Sequence, residues 1–209
     1  MCPTADDPTV LDGPDDANDD TGLLDETDDT APIGEPLEPR SARHALVETT
    51  LGTLTVVSDG TAITGIYFDG HAHRPDVSTF GPEVVADQDA VLGLAERQLG
   101  EYLDGERTEF ELPLATDGNE FQERVWDRLR AIPYGETVTY GQIAADLGDV
   151  TLAQAVGNAV GRNPISIVVP CHRVVGSTGR LTGYAGGLER KTALLELEEP
   201  PEARAQRLF

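Results

Sequence analysis

Residues 140–162 read YGQIAADLGDVTLAQAVGNAVGR, and this stretch determines the fold expected for the C-terminal half of the chain. Residues 140–147 and 151–162 are both predicted to be helical, and the short segment between them contains Gly148. Two short helices joined by a glycine-containing turn are typical of a helix-turn-helix unit. Most such helix pairs are packing elements, so this pattern alone leaves DNA binding open.

The second predicted helix has an apolar face and an opposite polar face. The polar residues are spaced by four along the helix, at Gln154, Asn158 and Arg162. Small residues flank this polar row, at Ala153, Ala155 and Gly157. A helix this slim around its polar row would suit close approach to a narrow DNA groove.

The neighbouring segments complete a C-terminal domain predicted over residues 117–200. A helix is expected over 119–131, where apolar residues recur every four positions. After the helix pair, the apolar run 165–169 indicates a short buried strand that Pro170 ends. A glycine-rich stretch follows, and a last helix is expected over 188–198.

Residues 45–116 have the pattern of a small α+β domain. β-branched residues predict a three-stranded antiparallel meander with strands at 46–50, 53–57 and 62–68. A helix over 87–103 and a further strand over 110–114 are expected after it. The fold class is therefore α+β, with a small N-terminal sheet domain that carries a helix and a mostly helical C-terminal domain.

The acidic residues are concentrated at the N-terminus. The net charge is −23, and residues 1–39 carry 13 Asp or Glu with no Lys or Arg. We expect residues 1–40 to form a disordered acidic tail, because they cannot bury enough apolar area to offset their ordering entropy. Residues 201–209 are interpreted as a short C-terminal tail. Lys191 is the only lysine beside 14 arginines, which suggests adaptation to molar salt; an ordinary acidic protein with an unusual tail is the alternative.

Several classes of protein are not expected from this sequence. It contains no run of about 18 apolar residues and no secretory signal, so no membrane association is expected and a cytoplasmic location is predicted. The only cysteines are Cys2, in the acidic tail, and Cys171, so a structural disulfide is not expected. His44, His71 and His73 have no thiol nearby, so they are interpreted as solvated residues near loops and no metal site is expected. Nothing suggests a symmetric contact, and a monomer is predicted.

Cys171 is a candidate nucleophile because of its position. It follows Pro170 at the point where an apolar run meets a turn. The backbone N–H groups of a following helical turn would favour the thiolate, and His172 offers a base within reach, directly or through water. A buried, inert side chain is the commoner fate of a lone cysteine, and the position alone leaves that alternative open.

Residues 119–198 resemble the O6-alkylguanine-DNA alkyltransferases, also called methylated-DNA–protein-cysteine methyltransferases. The resemblance rests on IPYGETVTY at 132–140, NPISIVVPCHRVV at 163–175 and GYAGGL at 183–188. The PCHR core at 170–173 is highly specific. The resemblance implies a winged, helix-turn-helix-like domain whose second helix enters the DNA minor groove, while an alkylated guanine rotates out of the duplex into a pocket.

The resemblance also implies a role for each catalytic residue. Cys171 would accept the alkyl group irreversibly, so each molecule would react once. His172, through a bound water, would take the thiol proton, and Glu198 would fix the imidazole tautomer. Tyr140 would hydrogen-bond the guanine, and Asn163 would brace the active-site loop. From the residues alone, Tyr140 could equally be a core or cap residue, Glu198 a surface charge and Asn163 a helix cap.

The remaining contacts are likewise implied by the resemblance. The substrate pocket would be lined by Pro170, Val174, Tyr184, Ala185 and Gly186, with the backbone near Val174 reading the purine edge. DNA would be contacted by Gln154, Asn158, Arg162 and Arg173. The expected partner is double-stranded DNA that contains O6-alkylguanine, and no cofactor is needed.

The sequence departs from the family at Gln154, where an arginine is usual. Glutamine can fill the gap left by the extruded base and hydrogen-bond the orphaned base, but it carries no charge. We expect slower extrusion unless Arg162 compensates from one side.

Three other functions are weighed against this interpretation. A lesion-binding relative that senses alkylated bases without reacting would replace the cysteine, and Cys171 argues against it. A helix-turn-helix regulator would need a dimer interface and a basic reading helix, neither of which is visible. A Cys-His hydrolase would require an oxyanion hole and would leave residues 135–157 without a purpose.

Overall fold

The N-terminal half of the protein is built on a three-stranded antiparallel sheet. The computed structural model describes residues 41–200, so both predicted tails lie outside the described residues. Strands β1 (Arg43–Val47), β2 (Leu54–Ser58) and β3 (Ile63–Phe68) pair in that order. The predicted meander is therefore confirmed.

The first strand was predicted three residues too late in the chain. Residues predicted to extend β1 form the hairpin turn instead, where the Thr49 hydroxyl donates to the carbonyl of Gly52 at 2.6 Å. The N–H of Gly52 donates back to the Thr49 carbonyl at 3.0 Å. Gly52 has φ 99°, a conformation that favours glycine, and this fixes where the turn closes.

Helix α1 (Ala90–Leu103) covers the sheet and supplies much of its core. Asp89 caps the helix by accepting from the N–H groups of Val91 and Leu92, which is why α1 begins after the predicted position 87. The predicted strand over 110–114 is wrong. Only a single bridge from Leu114 to Ile63 forms there, since Pro113 has no N–H to extend a ladder.

The C-terminal half contains the predicted helices. Helix α2 (Glu120–Arg130) starts with a capping box between Asn119 and Gln122. Helices α3 (Tyr140–Asp146) and α4 (Ala153–Gly161) form the expected pair, with a 3-10 turn at Val150–Leu152 between them. The second helix thus begins two residues later than predicted, and α5 (Leu188–Glu198) has the predicted bounds.

A two-stranded parallel sheet fixes the site relative to the helix pair. Strand β4 (Val138–Thr139) directly precedes α3, and β5 (Val174–Val175) directly follows the 3-10 turn Cys171–Arg173. Val138 pairs with Val174 and Thr139 with Val175. This pairing holds the beginning of α3 beside the turn that carries the cysteine.

The predicted strand over 165–169 is also wrong, because the segment is a buried turn. Ile165 forms only a single bridge, to Ile66 of β3, and Ile167 has φ 72°. The carboxamide oxygen of Asn163 accepts from the N–H of Ile165 at 3.1 Å. Side-chain bonds of this kind compete with a strand ladder, and an apolar run does not reveal them.

One apolar cluster runs through both halves, from β1–β3 and α1 to α2–α5. The N–H of Ile66 donates to the carbonyl of Pro164 at 2.8 Å, so β3 contacts the loop before the cysteine. The fold is α+β, as predicted. Across residues 41–200, no helix combines the length and apolar character needed to cross a membrane.

Candidate active site

Cys171 is buried at the start of the 3-10 turn, with only 4% of its surface exposed. Burial raises the pKa of the thiol; Asn163, Lys191 and the backbone N–H groups of Cys171 and His172 oppose that rise. The turn was expected to favour the thiolate, and its N–H groups do act in that direction. Burial outweighs them, so the resting side chain is a thiol that needs a base.

Asn163 holds the segment that leads to the cysteine. Its amide nitrogen donates to the carbonyl of Val169 at 2.8 Å and lies 3.1 Å from the sulfur of Cys171. Its oxygen accepts from the N–H of Ile165. The side chain is only 2% exposed, so these bonds replace water and fix the position of the loop.

His172 and Glu198 form a buried pair behind the cysteine. Nε2 of His172 lies 2.7 Å from Oε1 of Glu198, and their exposures are 0% and 2%. Burial lowers the pKa of His172, against the raising effect of Glu198. Within residues 41–200, Nδ1 of His172 is buried with no protein partner.

Glu198 accepts from several donors at once. Nε of Arg173 donates at 2.8 Å, the N–H of Gly135 at 3.1 Å, and the hydroxyl of Tyr102 also donates to this carboxylate. Burial opposes ionisation, but the hydrogen bonds from His172 and Arg173 outweigh it and lower the pKa of Glu198 to about 2. The carboxylate is therefore ionised, and because it is 2% exposed it is not a surface charge.

Arg173, expected at the DNA, is buried and bonded within the protein. It is 7% exposed, and besides Glu198 it donates to the carbonyl of Ile132 at 2.5 Å. Its guanidinium also lies over the ring of Tyr134, 5.8 Å from the centroid. Its carboxylate partner lies 25 residues away in sequence, so the sequence does not reveal this ion pair.

The cysteine opens into a cavity of about 250 Å³. Three residues predicted for the site line it, namely Tyr140, Tyr184 and Ala185. The other lining residues are Ala72, His73, Gly157, Val160, Gly161 and Gly183. The hydroxyl of Tyr140 lies 3.5 Å from the carbonyl of Thr182, so this side chain is directed at the segment that leads to Tyr184.

Three predicted pocket residues, Pro170, Val174 and Gly186, are not among the residues that line this cavity. Pro170 and Val174 are buried on either side of the 3-10 turn Cys171–Arg173. Gly186 packs so closely on the ring of Phe68 that a Cβ there would lie 2.5 Å from it. A motif does not reveal such burial and close packing.

Lys191 is a site residue that sequence reasoning did not identify. It is fully buried, and Nζ donates to the carbonyls of Val174 at 2.6 Å and Thr182 at 2.9 Å. Burial lowers its pKa to about 8, against the effect of Cys171. Lys191 is the only lysine beside 14 arginines, and this was the one feature of the sequence that could have marked it as a site residue.

Two of the three histidines in the N-terminal half are buried, although all three were expected to be solvated. His44 and His71 are buried, at 6% and 7% exposure, and only His73 is exposed. Nε2 of His71 lies 3.0 Å from the hydroxyl of Ser166. Residues 41–200 contain no cluster of three or more side chains suited to hold a metal ion.

The polar row of α4 lies on the surface, as expected. Gln154, Asn158 and Arg162 are all exposed. On the same helix, Gly157 faces the ring of Tyr140, which a Cβ would meet at 3.7 Å. The exposed polar face and the cysteine cavity are therefore adjacent.

Both halves of the chain match models of one protein family. The family model described as 6-O-methylguanine DNA methyltransferase, DNA binding domain, matches residues 120–200, and that of the ribonuclease-like domain matches 42–116. The methylated-DNA–protein-cysteine methyltransferase of Mycobacterium tuberculosis is 45% identical over 156 residues, 75% of this chain and 92% of the relative. That of Methanosarcina acetivorans is 42% identical, over 74% of this chain and 97% of the relative.

A solved structure is similar to this protein over most of the chain. Mycobacterium tuberculosis OGT in complex with DNA superposes with a TM-score of 0.69 at 42% identity, covering 75% of this chain and 92% of that one. Because both halves match over most of the chain, this protein belongs to the methylated-DNA–protein-cysteine methyltransferase family.

Proposed function

We propose that this protein repairs DNA by transferring the alkyl group of O6-alkylguanine to Cys171 in a single, irreversible turnover. The observation that carries the proposal is the cavity of about 250 Å³ that contains Cys171. Asn163 contacts the sulfur, and His172, the next residue in the chain, is paired with Glu198. Family membership supports the same chemistry.

His172 is proposed as the base that removes the thiol proton. Glu198 is ionised and can only accept, so Nε2 of His172 carries the hydrogen that it donates. In the neutral ring, Nδ1 then holds a lone pair. Nδ1 is buried with no protein partner among the described residues, which suits acceptance of a proton through a bound water.

The proposed reaction balances without any cofactor. The proton of Cys171 passes to His172, and the sulfur bonds to the alkyl carbon while the bond from that carbon to O6 breaks. The electron pair stays on the guanine, which regains one proton. Tyr140, whose ring lines the cavity, is proposed to hydrogen-bond the departing base.

Extrusion of the base follows from the burial of the sulfur. A base stacked in a duplex cannot reach a sulfur atom that is 4% exposed, so the alkylated guanine must leave the stack. We propose that α4 enters the minor groove, with Gln154, Asn158 and Arg162 at the DNA and Gln154 in the vacated position. The chain supplies every proposed site residue itself, which supports action as a monomer.

Mass measurement after incubation with DNA containing O6-methylguanine tests the function. We expect one methyl group on the peptide that contains Cys171, with one lesion repaired per protein molecule. Cys171→Ala should abolish the gain, while the matched variant Cys2→Ala should react like the parent. Binding to the lesion without a gain in mass would instead establish the non-reacting, lesion-binding alternative, which Cys171 disfavours.

A further inference from the structure

The cavity around Cys171 is not formed by the C-terminal half alone. Ala72 and His73, in the loop after β3, line one wall of it. The same two residues, with Gly161, also line a larger groove of about 530 Å³ between the two halves. His73 therefore lies in the wall that separates the cysteine cavity from this groove.

The loop is attached to the cavity walls by two contacts. The N–H of Ala72 donates to the carbonyl of Ala185 at 2.8 Å. His71 is buried and bonded to Ser166, and its ring lies edge-on to Tyr67 with centroids 5.4 Å apart. Because these bonds reach the segments on both sides of the sulfur, the loop is a fixed part of the wall.

His73 occupies this position in an unfavourable backbone conformation. Its φ is 63°, in the left-handed region that favours glycine. Its side chain is exposed, so burial contributes little to keeping an imidazole there. Strain of this kind is retained where the surrounding structure enforces it and is concentrated at functional sites.

We propose that His73 is a specificity-determining residue that limits the size of the O6 substituent, an inference that rests on the proposed alkyl transfer. A methyl group fits a cavity closed on this side by the imidazole. A benzyl group would meet the ring. Without the imidazole, the cavity would join the groove of about 530 Å³, into which a large substituent could extend.

Single-turnover rates of His73→Gly on DNA with O6-methylguanine and with O6-benzylguanine test this. Glycine removes the ring and suits the backbone, so the variant should fold. We expect the benzyl rate to rise about tenfold relative to the methyl rate, the scale on which pockets discriminate by size. His73→Phe should shift the ratio the other way.

Asp117→Ala is the matched control, because Asp117 is exposed and lines the groove but not the cavity. Its ratio of rates should equal that of the parent. An unchanged ratio in His73→Gly, or an equal fall in both rates, would overturn the inference. If the parent protein transferred no methyl group, the proposed function itself would fail, which is a distinguishable result.

Discussion

Oε1 of Glu198 lies 2.7 Å from Nε2 of His172 and 2.9 Å from a terminal nitrogen of Arg173. One carboxylate at the end of α5 thus orients the proposed base and neutralises a buried guanidinium. Both partners come from the 3-10 turn that begins with Cys171, the proposed nucleophile. Because the two functions share one carboxylate, a change at Glu198 should affect stability and reaction together.

Glu198→Gln is expected to lower both the stability of the protein and the rate of alkyl transfer. The amide leaves Arg173 without its counter-charge, and loss of one partner of a buried ion pair costs about 3–5 kcal/mol. An amide can also donate to Nε2 of His172, which would place the ring hydrogen on Nδ1 and block proton acceptance. We expect the transfer rate to fall about 10²–10⁴-fold, the usual contribution of a positioned base.

Urea unfolding and single-turnover transfer, each at fixed pH, measure the two effects. Glu189→Gln is the matched control, because this glutamate lies on the same helix and is exposed. It should change stability by less than about 1 kcal/mol and leave the rate unaltered. Equal behaviour of the two variants would show that Glu198 positions nothing.

The sequence predicts the elements that depend on local chemistry. The bounds of α5 are as expected because the glycine-rich stretch ends at Gly187 and Pro200 follows the helix, and α2 is marked by Asn119 and Gln122 at capping positions. Asp59-Gly60 similarly marks the turn between β2 and β3. These signals are contained within a few residues, so no tertiary contact is needed to interpret them.

The differences depend on specific hydrogen-bond and ion-pair partners, some of them close in sequence and some distant. Residues 165–169 form a turn because Asn163 bonds to that backbone, and Arg173 is buried because Glu198 neutralises it. The burial of Lys191 depends on carbonyls 8 to 17 residues away. The motif suggests the reacting residues through family resemblance, but periodicity carries no information on such distant pairs.

Acid should destabilise the protein partly through His71. Burial lowers its folded pKa from 6.5 to about 4, so the unfolded chain binds this proton first as the pH falls. The contribution of His71 is present above pH 6.5 and is lost as the pH falls from 6.5 towards 4. A shift of this size corresponds to at most about 3 kcal/mol.

Denaturant unfolding of His71→Gln between pH 7 and 4.5 tests this contribution. Glutamine can keep a bond to Ser166 but does not titrate, so the fall in stability with acid should be shallower than in the parent. His172, also buried with a lowered pKa, should retain part of the slope. If His71→Gln lost stability with acid as steeply as the parent, burial of His71 would not be the cause.

Gln154→Arg should strengthen DNA binding in a salt-dependent manner. Gln154 is exposed near the start of α4, and an arginine there adds one charge to the face proposed to contact DNA. Each charge that neutralises a phosphate steepens the plot of log K against log salt by about 0.9, so the gain should be large in dilute buffer and small at molar salt. Gln88→Arg, the same change at an exposed position before α1, should leave the slope unchanged. Binding titrations across salt concentrations measure both variants. The composition suggests adaptation to molar salt. The transfer rate of the parent should therefore persist at molar salt and equal the transfer rate of Gln154→Arg there. Equal slopes for the two arginine variants would mean that α4 does not face the duplex.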